Sequence, residues 1–163
     1  MLNKTEEALV DFKNYVIQQA RTNLTKGKKN VDGNLYKSLE GFVEKSSAGL
    51  RLYFEMEDYG MFQDRGVSGK NKKYNTPFSY KSKMPPIKPL AEWAKKRNIR
   101  LRDEKGRFKK GNYKTIGYLI ARKIYKEGIK PTLFFTKPFE RAIKRLPDDL
   151  REAFGEDLNK LLK

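Results

Sequence analysis

The chain has 163 residues, and its 37 Lys and Arg against 20 Asp and Glu give a formal net charge of +17. It contains neither cysteine nor histidine, which excludes disulfides, thiolate ligands, cysteine nucleophiles and histidine in metal binding or proton transfer. We predict one domain over residues 1–163, soluble and intracellular. No apolar run approaches the roughly 20 residues that a membrane span needs, so we expect no membrane partner.

The positive charge is concentrated in one part of the chain. Residues 1–58 hold nine basic and nine acidic residues, whereas residues 65–146 hold 25 basic and five acidic ones. No acidic residue occurs from Arg65 to Ala91. Such a surface attracts an anionic partner over a Debye length of roughly 8 to 10 Å. Nucleic acid, an acidic protein ring and a layer of lipid headgroups all have the required charge.

The first predicted element is a long amphipathic helix over Leu2–Lys26. Asn3 and Glu6 have the spacing of a capping box. We expect the apolar stripe to pack on the protein's own sheet, with a partner subunit as the alternative. The stripe consists of Leu9, Phe12, Val16, Ala20 and Leu24. Residues 26–34 (KGKKNVDGN) follow as a turn-rich break.

Residues 35–56 carry the strand signal. Leu50, Leu52 and Phe54 alternate with Arg51, Tyr53 and Glu55. With the turn predicted over 46–49, this alternation indicates a hairpin with one buried face. Residues 56–66 (MEDYGMFQDRG) are predicted to pass from strand to loop. Residues 67–83 form a long, basic loop, and loops of that length are functional or disordered.

Two further features precede the last third of the chain. Pro85, Pro86 and Pro89 introduce a short helix, predicted to direct Leu90, Trp93 and Ala94 to the core. Residues 95–97 at the end of this helix are all basic, and positive charge is favoured at a helix C-terminus. The alternative interpretation of these three residues is a binding patch. Residues 100–112 (RLRDEKGRFKKGN) are predicted to project as a second polar loop.

Three helices are predicted after this loop. The first begins at Tyr113 with an apolar face of Ile116, Leu119, Ile120 and Ile124, and Gly128 ends it. The second starts at Thr136 or Lys137 and ends at Pro147, burying Phe139, Ala142, Ile143 and Leu146. The third covers residues 148–162, capped by Asp148 or Asp149, with Leu150, Ala153, Phe154, Leu158 and Leu161 on one face. The predicted class is α+β: a long N-terminal helix, a small antiparallel sheet, helices packed on it, and long basic loops.

Several short motifs in this order resemble a known family. They are G-N-L-Y-K-S-L at 33–39, the aromatic and glycine stretch at 59–66, and K-P-F-E-R-A-I at 137–143. The series resembles the neck, tail-completion and minor tail proteins of tailed bacteriophages, whose corresponding pieces run roughly T-G-x-L-x-x-S, Y-x-x-x-x-E-x-G-T and R-P-F-x-x-x-A. This chain departs from that pattern at 63–67, which reads Gln-Asp-Arg-Gly-Val, and in the size of its two basic loops.

The resemblance implies a structural virion protein, without enzymatic activity or cofactor, that is assembled in the host cytoplasm. It would form a homo-oligomeric ring in the head-to-tail connector, or complete the top of the tail around the DNA channel. Its partners would be the portal or adjacent connector and tail proteins with acidic surfaces, with non-specific proximity to DNA. A ring needs heterologous contacts, for which long loops and aromatic anchors are suited. The candidate contact residues are Phe62, Arg65, Lys70, Lys72, Lys73, Tyr74, Phe78, Tyr80, Arg107, Phe108, Lys109 and Lys110.

Three alternatives stay open from the sequence. The loops and their aromatics would instead pack locally on their own domain. Basic loops with interleaved aromatics also suit non-specific nucleic-acid binding, although no zinc-finger, RNP or clear helix-turn-helix signature is present. The third and most remote alternative is a nuclease, in which Mg²⁺ would be held by Glu55, Glu57, Asp58 and Asp64. We expect the isolated protein to be monomeric or weakly associated, with mobile loops.

Overall fold

The computed structural model describes residues 3–27 and 33–161, apart from the side chains of residues 158, 160 and 161. The predicted apolar positions Leu158 and Leu161 and most of the predicted break at 26–34 lie outside that description. The described elements are α1 Asn3–Lys26, α2 Asn34–Ser38, β1 Glu40–Ser46, β2 Gly49–Glu55, α3 Tyr59–Arg65, β3 Val67–Ser68, α4 Ile87–Lys96, β4 Leu101–Arg102, β5 Phe108–Lys109, α5 Tyr113–Glu127, β6 Gly128–Ile129, α6 Thr136–Ile143 and α7 Leu146–Leu161. This confirms the α+β class.

The chain divides into two compact units. The terminal unit comprises Met1–Gly60 and Leu133–Lys163, and the central unit comprises Met61–Thr132. The strands pair as three antiparallel ladders, β1 with β2, β3 with β6 and β4 with β5. No helix in the described ranges is long and apolar enough to cross a membrane.

The core of the terminal unit is built on α1. The predicted stripe is confirmed, because the five residues Leu9, Phe12, Val16, Ala20 and Leu24 are all buried. One cluster joins Ala20 and Leu24 to Leu35, Leu39 and Phe134. A second joins Leu9, Phe12 and Val16 to Leu146 and to half-buried residues of the hairpin, α6 and α7. The stripe therefore packs within its own unit, as expected.

Aromatic rings connect the hairpin to α6 inside this core. The Phe54 ring meets Phe135 edge to face at a centroid distance of 5.2 Å and lies 6.2 Å from Phe139. Phe139 in turn meets Phe12 edge to face at 5.7 Å. Such pairs add about 0.5 to 1.5 kcal/mol each beyond the apolar area that they bury, so the K-P-F motif anchors α6 to α1 and β2.

The start of α1 is capped by a residue from the other end of the chain. The Asp157 carboxylate accepts hydrogen bonds from the backbone N–H groups of Lys4, at 3.0 Å, and Thr5, at 2.9 Å, and from the Thr5 hydroxyl at 3.0 Å. The cap seen for these two N–H groups is thus supplied by Asp157 and not by the predicted pair of Asn3 and Glu6. A helix leaves its first N–H groups without internal partners, and here a buried carboxylate in α7 satisfies two of them.

The hairpin is confirmed, with Glu40 opposite Glu55 and Ser46 opposite Gly49. Two short helices flank it that the sequence did not predict, α2 before β1 and α3 after β2. The Ser38 hydroxyl at the end of α2 donates to the Leu35 carbonyl and accepts from the Glu57 N–H. The stretch at 56–66, predicted to become a loop, is thus helical from Tyr59 to Arg65.

Several predicted positions at the later helices are corrected. Pro147 does not end α6 but lies in the first turn of α7, where proline costs no hydrogen bond. Leu146 accordingly belongs to α7 and is buried there. Ile143 and Phe154, predicted to be buried, are 39% and 46% exposed.

In the central unit, α4 and α5 pack side by side at small residues. Ala94 and Ala121 are fully buried, and a Cβ added at Gly117 would lie 2.8 Å from the Ile87 carbonyl oxygen and 2.9 Å from the Ala91 Cβ. The predicted stop of α5 at Gly128 is confirmed. Trp93 and Leu119, predicted to face the core, are instead 38% and 44% exposed, since the two backbones meet at the small residues.

Candidate functional site

The central unit carries almost all of the net charge. Its 72 residues hold 21 basic and five acidic residues, a net of +16, whereas the terminal unit has a net of +1. The basic segment 67–83 and the basic segment 100–112 both belong to the central unit. The candidate contact residues all lie in this unit.

Segment 67–83 caps the C-terminal end of α5. The backbone N–H groups of Lys70, Asn71 and Lys72 donate to the carbonyl oxygens of Tyr125 and Lys126 at 2.8 to 3.4 Å. These carbonyls belong to the last turn of α5, where no partner within the helix is available. The lysines of this segment therefore lie close in space to the C-terminus of α5, where the helix dipole favours positive charge.

The same segment wraps around one buried serine. Ser68 is 4% exposed; its backbone N–H donates to the Phe78 carbonyl and its own carbonyl accepts from Tyr80. Its hydroxyl donates to the Tyr74 carbonyl and accepts from the Tyr74 N–H. Thr76 adds a bond to the Gly66 carbonyl. Local packing, the alternative left open for this loop, is what the structure shows for 67–80.

The predicted aromatic contacts of this segment are partly used within the unit. Phe62 and Phe78 meet edge to face at 4.9 Å, and the Tyr80 ring lies 6.5 Å from Tyr125. Burial raises the pKa of the Tyr80 hydroxyl above its ordinary value. Phe62 still exposes 41% of its surface, so it is the aromatic residue of this group that stays available to a partner.

The basic side chains of the segment differ in their surroundings. The Lys73 ammonium donates to the Gly69 carbonyl at 2.9 Å, and the Lys72 ammonium lies 5.7 Å from the centre of the Tyr74 ring. Arg65, at the end of α3, and Lys70 are exposed. The loop thus offers exposed charge, but its backbone is fixed by the capping role just described.

Segment 100–112 is a two-stranded ribbon rather than an irregular loop. Leu101 pairs with Lys109 and Arg102 with Phe108. The turn is closed by the Gly106 N–H, which donates to the Asp103 carbonyl at 2.9 Å, and Gly106 has a φ of 78°, a left-handed position that glycine adopts easily. We call residues 100–110 the basic ribbon.

The basic ribbon carries an exposed aromatic ring among guanidinium groups. Phe108 is 63% exposed, and its ring centre lies 4.5 Å from the Arg102 Cζ and 5.5 Å from the Arg100 Cζ. These are cation–π distances. Arg107, in contrast, is held by the Asp103 carboxylate, its Nε lying 3.0 Å from Oδ2. Lys109 and Lys110 are exposed.

The structure does not bring the two basic segments together. Segment 67–83 attaches at the C-terminal end of α5, whereas the basic ribbon runs directly into its N-terminus, where the Asn112 side chain caps the helix. The 15 residues of α5 span about 22 Å. The candidate contact residues therefore form two surfaces, Phe62 to Tyr80 on one and Arg107 to Lys110 on the other.

Two residues of the ribbon were missing from the predicted contacts. Arg100 and Arg102 contact Phe108, whereas the contacts predicted in this segment are residues 107–110 alone. A signal was present: alternating Arg-Leu-Arg, then Asp-Glu-Lys-Gly, then Arg-Phe-Lys is the pattern of a hairpin with glycine in its turn. The alternation places Arg100, Arg102 and Phe108 on one face.

The carboxylates considered for a nuclease do not form a recognisable site. In the ranges 3–27 and 33–161, no three acidic side chains are grouped so that they would hold a metal ion. Glu55, Glu57 and Asp58 are exposed and Asp64 is buried.

In comparisons with known proteins, no protein-family model, no curated protein and no solved structure matches this chain.

Proposed function

We propose that this chain is a structural protein of a tailed-phage virion, forming an oligomeric ring in the head-to-tail connector or at the top of the tail, around the DNA channel. The observation that carries the proposal is that the residues of the three resemblance motifs hold the fold together. Motifs shared by proteins whose task is assembly are expected to preserve a shape rather than a catalytic group.

The first motif forms the turn into α2 and its packing. Gly33 has a φ of 69°, a left-handed position that favours glycine. Leu35 is 3% exposed, and Ser38 bonds to Leu35 and Glu57. Glycine, leucine and serine thus each have a defined structural role at this spacing.

Residues of the other two motifs also have defined structural roles. Gly66 has a φ of 75°, and a Cβ there would lie 2.5 Å from the Ile129 carbonyl oxygen, so the motif glycine permits the pairing of β3 with β6. Pro138 is buried in the first turn of α6, and Phe139 packs on Phe12.

The charge distribution supports a role at an anionic partner. A central unit of net +16 would attract acidic surfaces of the portal or of neighbouring connector and tail proteins. In a ring each copy presents one face to a different face of the next, and the two separate basic surfaces at the ends of α5 suit contacts in two directions.

Electron microscopy of purified virions tests the proposal directly. An epitope inserted at Ser47–Ala48, in the exposed hairpin turn, would be labelled with gold-conjugated antibody, with untagged particles as the control. We expect label at the junction of head and tail, and averaged density for a ring below the portal. Particles produced without this chain should be DNA-filled heads that lack tails.

Absence of the chain from purified particles would contradict the proposal. The alternative, a non-specific nucleic-acid-binding protein, would then be favoured, because the basic ribbon with its exposed Phe108 supports it independently of any virion. The salt dependence of its DNA affinity would then be the property that characterises this function, whereas the presence or absence of the chain in purified particles decides between the two.

A further inference from the structure

The basic ribbon is an exposed surface with a defined arrangement of charge. Its residues 100–110 include six basic and two acidic side chains. Segment 67–83, in comparison, uses its backbone to cap α5 and to surround Ser68. The ribbon does neither, and most of its side chains are exposed.

One face of the ribbon is organised around Phe108. Arg102 is directly opposite Phe108 in the strand register, and the guanidinium groups of Arg102 and Arg100 lie 4.5 and 5.5 Å from the ring centre. Arg102 also donates through Nη1 to the Gly106 carbonyl at 2.9 Å. Both guanidinium groups are thus held near the ring instead of moving freely in solvent, and less conformational entropy is lost when they bind.

The turn of the ribbon is fixed by Asp103. Its Oδ1 accepts from the N–H groups of Lys105 and Arg107, each at 2.9 Å, and its Oδ2 accepts from the Arg107 Nε at 3.0 Å. The Asp103 carboxylate is therefore occupied with Arg107 and the backbone, and the other acidic side chain of the ribbon, Glu104, is exposed. Arg100 and Arg102 donate instead to uncharged oxygens, the Asn98 side-chain oxygen at 3.4 Å and the Gly106 carbonyl at 2.9 Å.

We propose that the basic ribbon binds the phosphate backbone of duplex DNA, with Arg100 and Arg102 contacting phosphates and Phe108 acting as a positioning residue for both. The guanidinium fork matches phosphate oxygens in geometry and stays charged at every physiological pH. A two-stranded ribbon is also narrow enough to lie in the major groove of DNA. The contacts would be independent of base sequence.

Duplex DNA fits this surface better than an acidic protein. The centre of a stable protein interface admits Arg and aromatic residues but is depleted of Lys, and three of the six basic residues of the ribbon are Lys. The ribbon instead presents a single ring, Phe108, surrounded by charge. The remaining positive charge of the central unit would raise the association rate with a polyanion. The free chain would bind DNA in this way whether or not it also forms the proposed ring.

Fluorescence anisotropy with a labelled mixed-sequence 20-base-pair duplex, at salt concentrations from 50 to 300 mM, tests the proposal. Each phosphate contact contributes about 0.9 to the slope of log affinity against log salt. We expect Arg100→Gln and Arg102→Gln each to lower the slope by about 0.9, and affinity at 150 mM salt by about fivefold. Arg51→Gln, an equal charge change in the hairpin of the terminal unit, is the control and should leave the slope unchanged.

Phe108→Leu tests the positioning role. It keeps an apolar side chain but removes the ring face, so we expect weaker binding with an unchanged salt slope, because the phosphate contacts stay the same in number. Circular dichroism melts would verify that each variant is folded. The proposal is overturned if wild-type protein does not bind the duplex, or if Arg51→Gln and Arg102→Gln reduce the slope equally. A preference for single-stranded DNA that Phe108→Leu abolishes would overturn the positioning role, since the ring would then stack on bases.

Discussion

At the scale of single residues, two glycines with nearly the same backbone angle are expected to differ in their tolerance of a side chain. Gly128 has a φ of 76° and Gly106 a φ of 78°. A Cβ at Gly128 would lie 2.1 Å from the Val67 carbonyl oxygen, whereas nothing lies within 4 Å of a Cβ at Gly106. Only Gly128 is enclosed, because β6 meets β3 there.

We therefore expect Gly106→Ala to lower the free energy of unfolding by about 1 kcal/mol, the cost of a left-handed alanine. Gly128→Ala should lower it by more than about 3 kcal/mol, because backbone atoms of β3 must also move. Equilibrium urea unfolding measures both. Equal losses in the two variants would contradict the close approach of the two strands.

Asp157 provides a second prediction at this scale. Its carboxylate satisfies two N–H groups and a hydroxyl at the start of α1, and the residue is 2% exposed. We expect Asp157→Ala to lower the free energy of unfolding by about 2 kcal/mol, which combines the loss of a cap with buried donors left unsatisfied. Asp148→Ala, at an exposed position in the first turn of α7, should change it by less than about 1 kcal/mol. Thermal or urea unfolding of the two variants measures both changes. Similar losses of unfolding free energy in Asp157→Ala and Asp148→Ala would mean that the Asp157 cap contributes little to stability.

At the scale of elements, Gly117 sets the distance between α4 and α5. A Cβ there would lie 2.8 Å from the Ile87 carbonyl oxygen, so the helices approach through backbone. Gly117→Leu should separate them and lower the free energy of unfolding by about 3 kcal/mol or more. Gly155→Ala, in a helix with open space around its Cβ position, should instead be neutral or stabilising by about 0.5 to 1 kcal/mol. Urea unfolding of both variants is the measurement, and a harmless Gly117→Leu would refute the close packing.

The sequence predicted the elements whose signal is local. The burial of α1, the hairpin and the stop of α5 followed from periodicity and glycine placement, all contained within a few turns of chain. It missed α2 and α3, which are only five and seven residues long, too short for a periodic pattern to form. It also missed the pairing of Val67 with Ile129, because a two-residue ladder between distant segments leaves no pattern in either one.

The candidate contacts were predicted only in part, for the same reason. Composition identified both basic segments, but a Lys-rich loop that caps a helix and a Lys-rich ribbon are similar in composition. Ser68 distinguishes the two segments, because its burial and four hydrogen bonds fix segment 67–83. The residues around Ser68 in the sequence contain no pattern that predicts this structural role. Trp93, predicted to be in the core, is exposed because Ala94 and Gly117 bring the helices too close to admit a ring there.

At the scale of the whole molecule, the uneven charge has a consequence for assembly. Copies in a ring would bring central units of net +16 near one another. Their repulsion is strong when the Debye length is long, about 14 Å at 50 mM salt, and weak when it falls to about 4 Å at 500 mM. A bound polyanion would reduce it further by neutralising the charge. Self-association and DNA binding should thus respond to salt in opposite directions.

Sedimentation velocity of the free protein checks this expectation. We expect a species near the monomer mass of 19.1 kDa at 50 mM salt, with larger species appearing as salt is raised to 500 mM or as short duplex DNA is added. Replacing the six basic residues of 100–110 by Gln should shift self-association to lower salt, because less like charge has to be brought together. Association that is strongest at 50 mM salt would refute repulsion as the controlling term. It would mean that the basic surfaces of one copy bind acidic side chains of the next, and that the ring, where it forms, is held by attraction between unlike faces.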